Sequence, residues 1–150
     1  MDELTEQQCV ELLQRSAVGH LAVLDDDMPY VTPVSYVMVN GHLGMRVGPG
    51  RRVDAIRKHD LVCFETSTYD EQTGDWQSVV VEGRATLITG GRRAEDVIAG
   101  LLGKYRNVVS ALQGTPAALG REMILILEPT RITGRSSGSF FAVRTRPGRL

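Results

Sequence analysis

Two adjacent arginines, Arg51 and Arg52, follow a glycine-rich corner and open a short helical pattern. The corner is Gly48-Pro49-Gly50, and Val53 and Ile56 supply the apolar spacing of a helix. A helix N-terminus carries unpaired amide donors and the positive end of the helix dipole. An arginine pair is disfavoured there unless an anion is bound, and guanidinium groups beside those amides make a seat for a phosphate group. The alternative is a pair of solvated arginines at the start of an ordinary surface helix.

The chain has no residue pattern typical of nucleophilic or acid–base catalysis. It contains no Gly-x-Ser-x-Gly elbow, Walker loop, Cys-x-x-Cys or His-x-x-x-His. The histidines His20, His42 and His59 are dispersed, and each is expected to be a surface or hydrogen-bonded residue. The run Asp25–Asp27 favours a solvated hairpin loop over a metal site, because no other ligand type is nearby. A phosphate seat without a catalytic dyad predicts that a bound cofactor carries any reaction.

Length and composition favour one domain, residues 1–150, that buries its core without disulfides or metals. The net charge of −1 and the aromatic share of 5% argue against nucleic acid or an anionic membrane as a partner. Cys9 and Cys63 are isolated thiols, which fits a reducing cytoplasm. The start MDELTEQQ lacks the order of a signal peptide, and no apolar run is long enough to cross a bilayer. We therefore expect a cytoplasmic protein.

Hydrophobic periodicity predicts how these residues are positioned. Thr5 and Gln8 fit a capping box that opens a helix over residues 6–15, and a second apolar ladder predicts a helix over 94–105. Strands are predicted at residues 18–24, 31–39, 42–47, 61–68, 76–89, 123–127 and 131–134. The sum of these elements is an α+β fold around a small, mainly antiparallel barrel of six or seven strands.

Details of the strands sharpen this prediction. Residues 31–39 are almost continuously apolar, so we expect one strand that is covered on both faces. Asn40-Gly41 predicts a type I′ hairpin turn into the strand 42–47. Gly83 is expected to mark a bulge or a close approach of two strands. The tail 136–150, which contains Phe140 and Phe141, is expected to be mobile or to contact a partner.

The order of these motifs resembles the pyridoxamine phosphate oxidase-like, FMN-binding split-barrel superfamily, and within it the nitroimidazole-resistance reductases. The matching pieces are PVSY, NG, a strand ending in RV, GPGRR with its helix, and WQSVVVEGRA. The resemblance covers roughly residues 5–134. It implies a six-stranded split barrel with flanking helices that forms a homodimer, with FMN held in grooves at the dimer interface and a small planar molecule as electron acceptor.

The resemblance also implies which residues bind the cofactor. The matching positions are Thr32, Pro33, Val34, Ser35, Met45, Arg46, Val47, Arg51, Arg52, Trp76 and Ser78. By this match the segment 32–35 lies along the isoalloxazine ring, 45–47 meets the ring edge and ribityl chain, and the arginine pair binds the phosphate. Trp76 and Ser78 approach the ring from the barrel side, although Trp76 fits a plain barrel-edge aromatic equally well.

Arg46 stands where the nitroimidazole-resistance reductases have a histidine, which weakens any transfer of nitro reduction to this chain. Because Arg46 shares a strand face with Gly44, we expect room there for a planar ligand. A guanidinium beside the flavin would favour the reduced, anionic ring and raise its potential. The alternative is an ion pair between Arg46 and Glu65 or Glu82 across the sheet.

Other functions in the same superfamily remain open. Relatives bind a deazaflavin or haem in the same groove, and a flavin carrier or sensor without turnover needs no further residues. Pyridoxamine phosphate oxidase proper is disfavoured, because its arginine-containing C-terminal substrate segment has no match in the tail after Gly134.

Overall fold

The computed structural model describes residues 1–106 and 123–138. Phe140 and Phe141 lie outside the described residues. The elements are β1 (Asp2–Glu3), α1 (Glu6–Arg15), β2 (Gly19–Asp25), β3 (Met28–Val34), β4 (Val37–Val39), β5 (His42–Val47), α2 (Arg51–Lys58), β6 (Leu61–Tyr69), β7 (Trp76–Ile88), α3 (Arg92–Lys104) and β8 (Met123–Ser136).

The strands form one antiparallel sheet in the order β3-β2-β6-β7-β8-β5-β4, and β1 pairs with β8. The α+β, mainly antiparallel fold is thereby confirmed. Several local signals are also confirmed: Thr5 and Gln8 form the capping box of α1, and Asn40 and Gly41 both have positive φ in the hairpin turn. The described residues hold eight strands, a slightly higher number than predicted, because β1 was not anticipated. The predicted strand 31–39 is divided into two and the predicted strands 123–127 and 131–134 form one, so these two differences cancel in the count.

The predicted strand 31–39 is wrong, because the chain is interrupted between β3 and β4. The Tyr36 side chain turns inward and is fully buried, with its ring edge-on to Phe64 at a centroid distance of 4.6 Å. The prediction that this segment is covered on both faces is also wrong for β3 within one chain. β3 is an edge strand that pairs only with β2 in the described sheet, and Val31 on it is 61% exposed.

The two strands predicted at 123–127 and 131–134 are one continuous strand, β8. Pro129 does not end it, because the register shifts by one residue opposite Gly83. The extra residue is Thr130, whose hydroxyl donates to the Glu82 carbonyl at 3.1 Å. A Cβ on Gly83 would collide with the main chain of Glu128. The bulge predicted at this glycine is confirmed, and it explains how a proline sits inside a central strand.

Two apolar clusters stabilise the fold. The larger lies inside the sheet and receives Leu12 and Leu13 from α1. In the smaller cluster, α3 packs Val97 on the outer side of β4, β5 and β8. The predicted ladder of α3 is only partly buried, since Ile98 and Leu102 are 43% and 47% exposed.

Replacing Gly83 by Ala should destabilise the protein, because the added methyl group meets a backbone carbonyl that cannot move without breaking the β7–β8 ladder. We expect a loss of roughly 2 kcal/mol or more in the free energy of unfolding, measured by urea titration. Gly103→Ala is the matched control, because a Cβ there meets nothing within 4 Å in a helix. It should stabilise by about 0.5–1 kcal/mol. Equal effects of the two substitutions would contradict this account of the bulge.

Candidate functional site

The corner before α2 is open to solvent and is not capped by a side chain. Gly50 is the N-cap residue, and no side chain in the described residues bonds the first turn of the helix. A Cβ placed on Gly48 or Gly50 would meet nothing within 4 Å. The first amides of α2 therefore face free space, with the two arginines beginning the helix beside them.

Arg52 joins this corner to strand β3. Its Nη1 donates to the Thr32 hydroxyl at 3.1 Å and lies 3.5 Å from the Pro33 carbonyl oxygen. Burial lowers the pKa of Arg52, and the nearby Tyr30 acts in the opposite direction. A guanidinium stays charged in proteins even so. Arg52 is thus a part-buried cation held against β3, which is not the solvated arginine of the alternative reading.

Arg51 is held from the other side of the corner. Its Nε donates to Asp25 at 2.7 Å, and its guanidinium lies 4.1 Å from the centre of the Tyr30 ring. Asp25 is the first residue of the predicted acidic loop, and its carboxylate forms an ion pair with Arg51. Both contacts orient the guanidinium, and Asp25 would compete with an anion for it.

Three of the remaining candidates on β3 and β5 are less accessible. Val34, Met45 and Val47 are buried in the larger core cluster, so only their main chains could contact a cofactor. Ser35 is exposed at the interruption between β3 and β4.

The room expected beside Arg46 is partly filled, because a Cβ on Gly44 would overlap Val97 of α3. A cavity of about 150 Å³ remains beside Gly44, and Arg46 does not line it. The proposed carboxylate partners have other contacts: Glu65 accepts from Ser78 and lies near His20, and Glu82 lies 3.9 Å from Arg131.

Trp76 and Ser78 lie on β7, with β2 and β6 between them and β3. Three interstrand spacings separate β3 from β7, a path of roughly 14 Å measured along the sheet. The Trp76 amide donates to the Ser137 hydroxyl at 2.9 Å, and the Ser78 hydroxyl donates to Glu65 at 3.0 Å. The structure therefore brings Thr32, Pro33 and the arginine pair together and leaves the β7 residues on a different part of the sheet.

The match to a family model agrees with this architecture. The model for pyridoxamine 5'-phosphate oxidase matches residues 5–136. The chain belongs to this family. A curated protein of Rhizobium meliloti, RA0666, is 27% identical over 81 residues, which are 54% of this chain and 53% of that protein. The chain thus spans about half the length of the curated relative that it matches.

Solved structures related to this family member have the same fold. A FAD-binding protein of Mesorhizobium loti has a TM-score of 0.73 at 21% identity and covers 90% of this chain and 96% of its own. A proposed 5-nitroimidazole antibiotic resistance protein of Bacteroides thetaiotaomicron has a TM-score of 0.72 at 15% identity, with 90% and 86% covered. The FAD-binding protein of Mycobacterium smegmatis has a TM-score of 0.65 at 21% identity, with 90% and 98% covered. At these identities the likeness establishes the split-barrel fold.

Within residues 1–106 and 123–138, no helix of this family member has both the length and the apolar character of a membrane span.

Sequence reasoning missed the side chains that hold the β3–β4 interruption. Lys104, at the end of α3, donates from Nζ to the Tyr36 carbonyl at 2.9 Å. The Tyr105 hydroxyl accepts from the Tyr36 amide at 3.0 Å and donates to the Ala17 carbonyl at 2.6 Å. Tyr105 was predicted only as the last member of an apolar ladder, and no sequence signal marked Lys104.

Burial lowers the pKa of Lys104 from 10.5 to about 8. Between these values the unfolded chain binds more protons than the folded chain, so this residue makes the protein more stable as the pH rises. Burial raises the pKa of Tyr36 to about 12 and also raises the pKa values of the two thiols. These groups make the protein less stable as the pH rises. We therefore compare wild type with Lys104→Met. The difference in the free energy of unfolding, wild type minus variant, should increase from pH 8 to pH 10 in urea titrations. A difference that stays constant would contradict the assignment.

Proposed function

We propose that this protein binds FMN at the corner between β5 and α2 and acts as an oxidoreductase on a small planar acceptor. The observation that carries the proposal is the arginine pair at an uncapped helix N-terminus, tied to the strand that matches the ring-contacting segment of the family. When bound, the flavin supplies the electron transfer. The residues described below bind and orient it.

The corner suits a phosphate monoester on electrostatic grounds. Arg51 and Arg52 begin α2, whose uncapped N-terminus adds the positive end of the helix dipole beside the open space at Gly48 and Gly50. Each charge-assisted hydrogen bond to the phosphate contributes roughly 1.5–3 kcal/mol. Asp25 neutralises Arg51 in the described state, and we expect the bound phosphate to share or replace that contact. Arg52 keeps its bond to Thr32, so it links the phosphate site to the ring-contacting strand.

The family resemblance favours FMN, whereas two of the similar structures are named as FAD-binding proteins. A terminal phosphate monoester concentrates its charge on one phosphate group, whereas the internal diphosphate of FAD spreads a similar charge over two. Deazaflavin and haem remain alternatives, and the absorbance spectrum of the purified protein separates them from flavin. A carrier or sensor is the remaining alternative. It is favoured if a reduced nicotinamide cofactor with quinone and nitro acceptors gives no turnover.

Arg52→Ala should weaken FMN binding by about tenfold to a hundredfold, which corresponds to the loss of one charge-assisted contact of about 1.5–3 kcal/mol. The dissociation constant is measured by quenching of flavin fluorescence, with FAD titrated in parallel. Arg51→Ala should have a smaller effect, because Asp25 already occupies that guanidinium.

The control for this experiment is Arg57→Ala. Arg57 lies in the last turn of the same helix and contacts the Met123 sulfur at 3.3 Å. Its removal should leave the dissociation constant unchanged. Equal FMN affinity in wild type and Arg52→Ala would rule out the corner as the phosphate site.

We further propose a homodimer in which a second copy covers the outer face of β3, β2, β6 and β7. Exposed apolar side chains on this face include Val31, Leu61 and Tyr69. In one chain, the strands β2 and β6 separate the proposed ring-contacting segment of β3 from the β7 candidates Trp76 and Ser78. Both groups reach one ring if the second copy brings its β7 to this β3, which is the arrangement that the family resemblance implies.

Val31→Asp should convert the dimer to a monomer, because a carboxylate on this face would be buried without a partner. Sedimentation velocity gives the oligomeric state, and FMN affinity should fall together with the dimer fraction. Ile98→Asp, on an exposed position of α3 away from this face, is the matched control and should leave the dimer intact. A monomeric wild-type protein that binds FMN normally would refute the shared site.

A further inference from the structure

The interruption between β3 and β4 is held by a cluster of side chains that the proposed phosphate site does not use. Tyr36 lies between the two strands, so neither its amide nor its carbonyl belongs to a ladder. Both groups are instead bonded by the end of α3: Lys104 donates to the carbonyl at 2.9 Å, and the Tyr105 hydroxyl accepts from the amide at 3.0 Å. A buried main-chain group without a hydrogen-bond partner destabilises the folded state, so these contacts stabilise the interruption.

The Lys104 ammonium is held in an aromatic setting. Its Nζ lies 3.7 Å from the centre of the Tyr36 ring and 5.4 Å from that of Tyr105. Both rings belong to titratable side chains, and both tyrosines also contact Lys104 or its carbonyl partner through hydrogen bonds. A cation is favoured over an aromatic face, which offsets part of the cost of removing it from water.

This cluster acts on the segment that is expected to contact the ring. Ser35 directly precedes Tyr36, whose amide and carbonyl are bonded by Tyr105 and Lys104. At the other end of the segment, Arg52 bonds Thr32. The four residues Thr32–Ser35 are therefore fixed at both ends, by α2 on one side and by the end of α3 on the other.

We propose that Lys104 and Tyr105 are positioning residues for the segment Thr32–Ser35, and that they hold its main chain in the conformation that receives the flavin ring. This inference rests on the proposed function. It assigns α3 a role that neither the phosphate corner nor the dimer face requires. The mechanism is pre-organisation: a segment that is ordered before binding loses less entropy when the ligand arrives.

The first test needs no cofactor. Tyr105→Phe removes only the hydroxyl, so hydrogen exchange at the Tyr36 amide should accelerate by about fivefold or more, as the loss of one hydrogen bond of about 1 kcal/mol predicts. Tyr69→Phe, at an exposed tyrosine of β6, is the matched control and should leave that amide unchanged. Unchanged exchange in Tyr105→Phe would overturn the proposal.

The second test measures the dissociation constant for FMN. Lys104→Met should weaken binding by about tenfold, and Lys104→Arg should restore most of it, because a guanidinium can donate to the same carbonyl. Lys58→Met, at an exposed lysine in the last turn of α2, should bind as wild type does. Circular dichroism establishes that each variant is folded, and Tyr105→Phe replaces Lys104→Met if the latter does not fold.

The outcomes separate the inference from the proposed function. If Lys104→Met and Tyr105→Phe have the same dissociation constant for FMN as wild type, the positioning role is overturned and the proposed phosphate site is unaffected. Wild type that binds neither FMN nor FAD would overturn both. Weakened binding in the two variants, with recovery in Lys104→Arg, supports the inference.

Discussion

The inward turn of Tyr36 is the constraint on which the rest of the structure depends. A phenol can be buried only if its hydroxyl has a partner, and the Tyr36 hydroxyl donates to the Leu13 carbonyl of α1 at 2.6 Å. The ring then packs on Phe64, while the main chain of the same residue is bonded from α3. One residue thus connects α1, α3 and the sheet, and its position ends β3 before β4 begins.

Ending β3 at this point has an electrostatic consequence. The strand lies at the edge of the described sheet, where the Thr32 hydroxyl and the Pro33 carbonyl can receive Arg52 from the start of α2. Arg51 beside it is balanced by Asp25. A guanidinium pair at a helix N-terminus is unfavourable without a counter-ion. Asp25, the Thr32 hydroxyl and the Pro33 carbonyl compensate part of this positive charge. An anion in the open space beside Gly48 and Gly50 would compensate the rest.

The family membership and the local chemistry point in the same direction from independent starting points. The family model covers residues 5–136 without reference to the geometry of any side chain. The contacts of Arg52 with β3 come from the coordinates alone. The family model singles out no corner of the fold, so the proposal of a flavin phosphate there is based on the arginine pair and its contacts with β3. The placement of Trp76 and Ser78 farther along the sheet gives the proposed second copy a specific part in the site.

The amino-acid sequence by itself determined the features that depend on neighbouring residues. The capping box at Thr5, the turn at Asn40-Gly41 and the bulge at Gly83 follow from backbone preferences that act over a few positions. The arginine pair at the start of α2 was predictable for the same reason, since a glycine corner before an apolar ladder marks a helix start.

Only the tertiary structure decided where the apolar run 31–39 is interrupted, which residue of β8 forms the bulge that accommodates Pro129, and what packs against Gly44. Each depends on a residue distant in the sequence: Lys104 is 68 positions from Tyr36, Thr130 is 48 from Glu82, and Val97 of α3 fills the space at Gly44. Periodicity records which residues prefer to be buried, but it does not record which partner buries them. That choice is made by packing between elements, and so it was not accessible from local patterns.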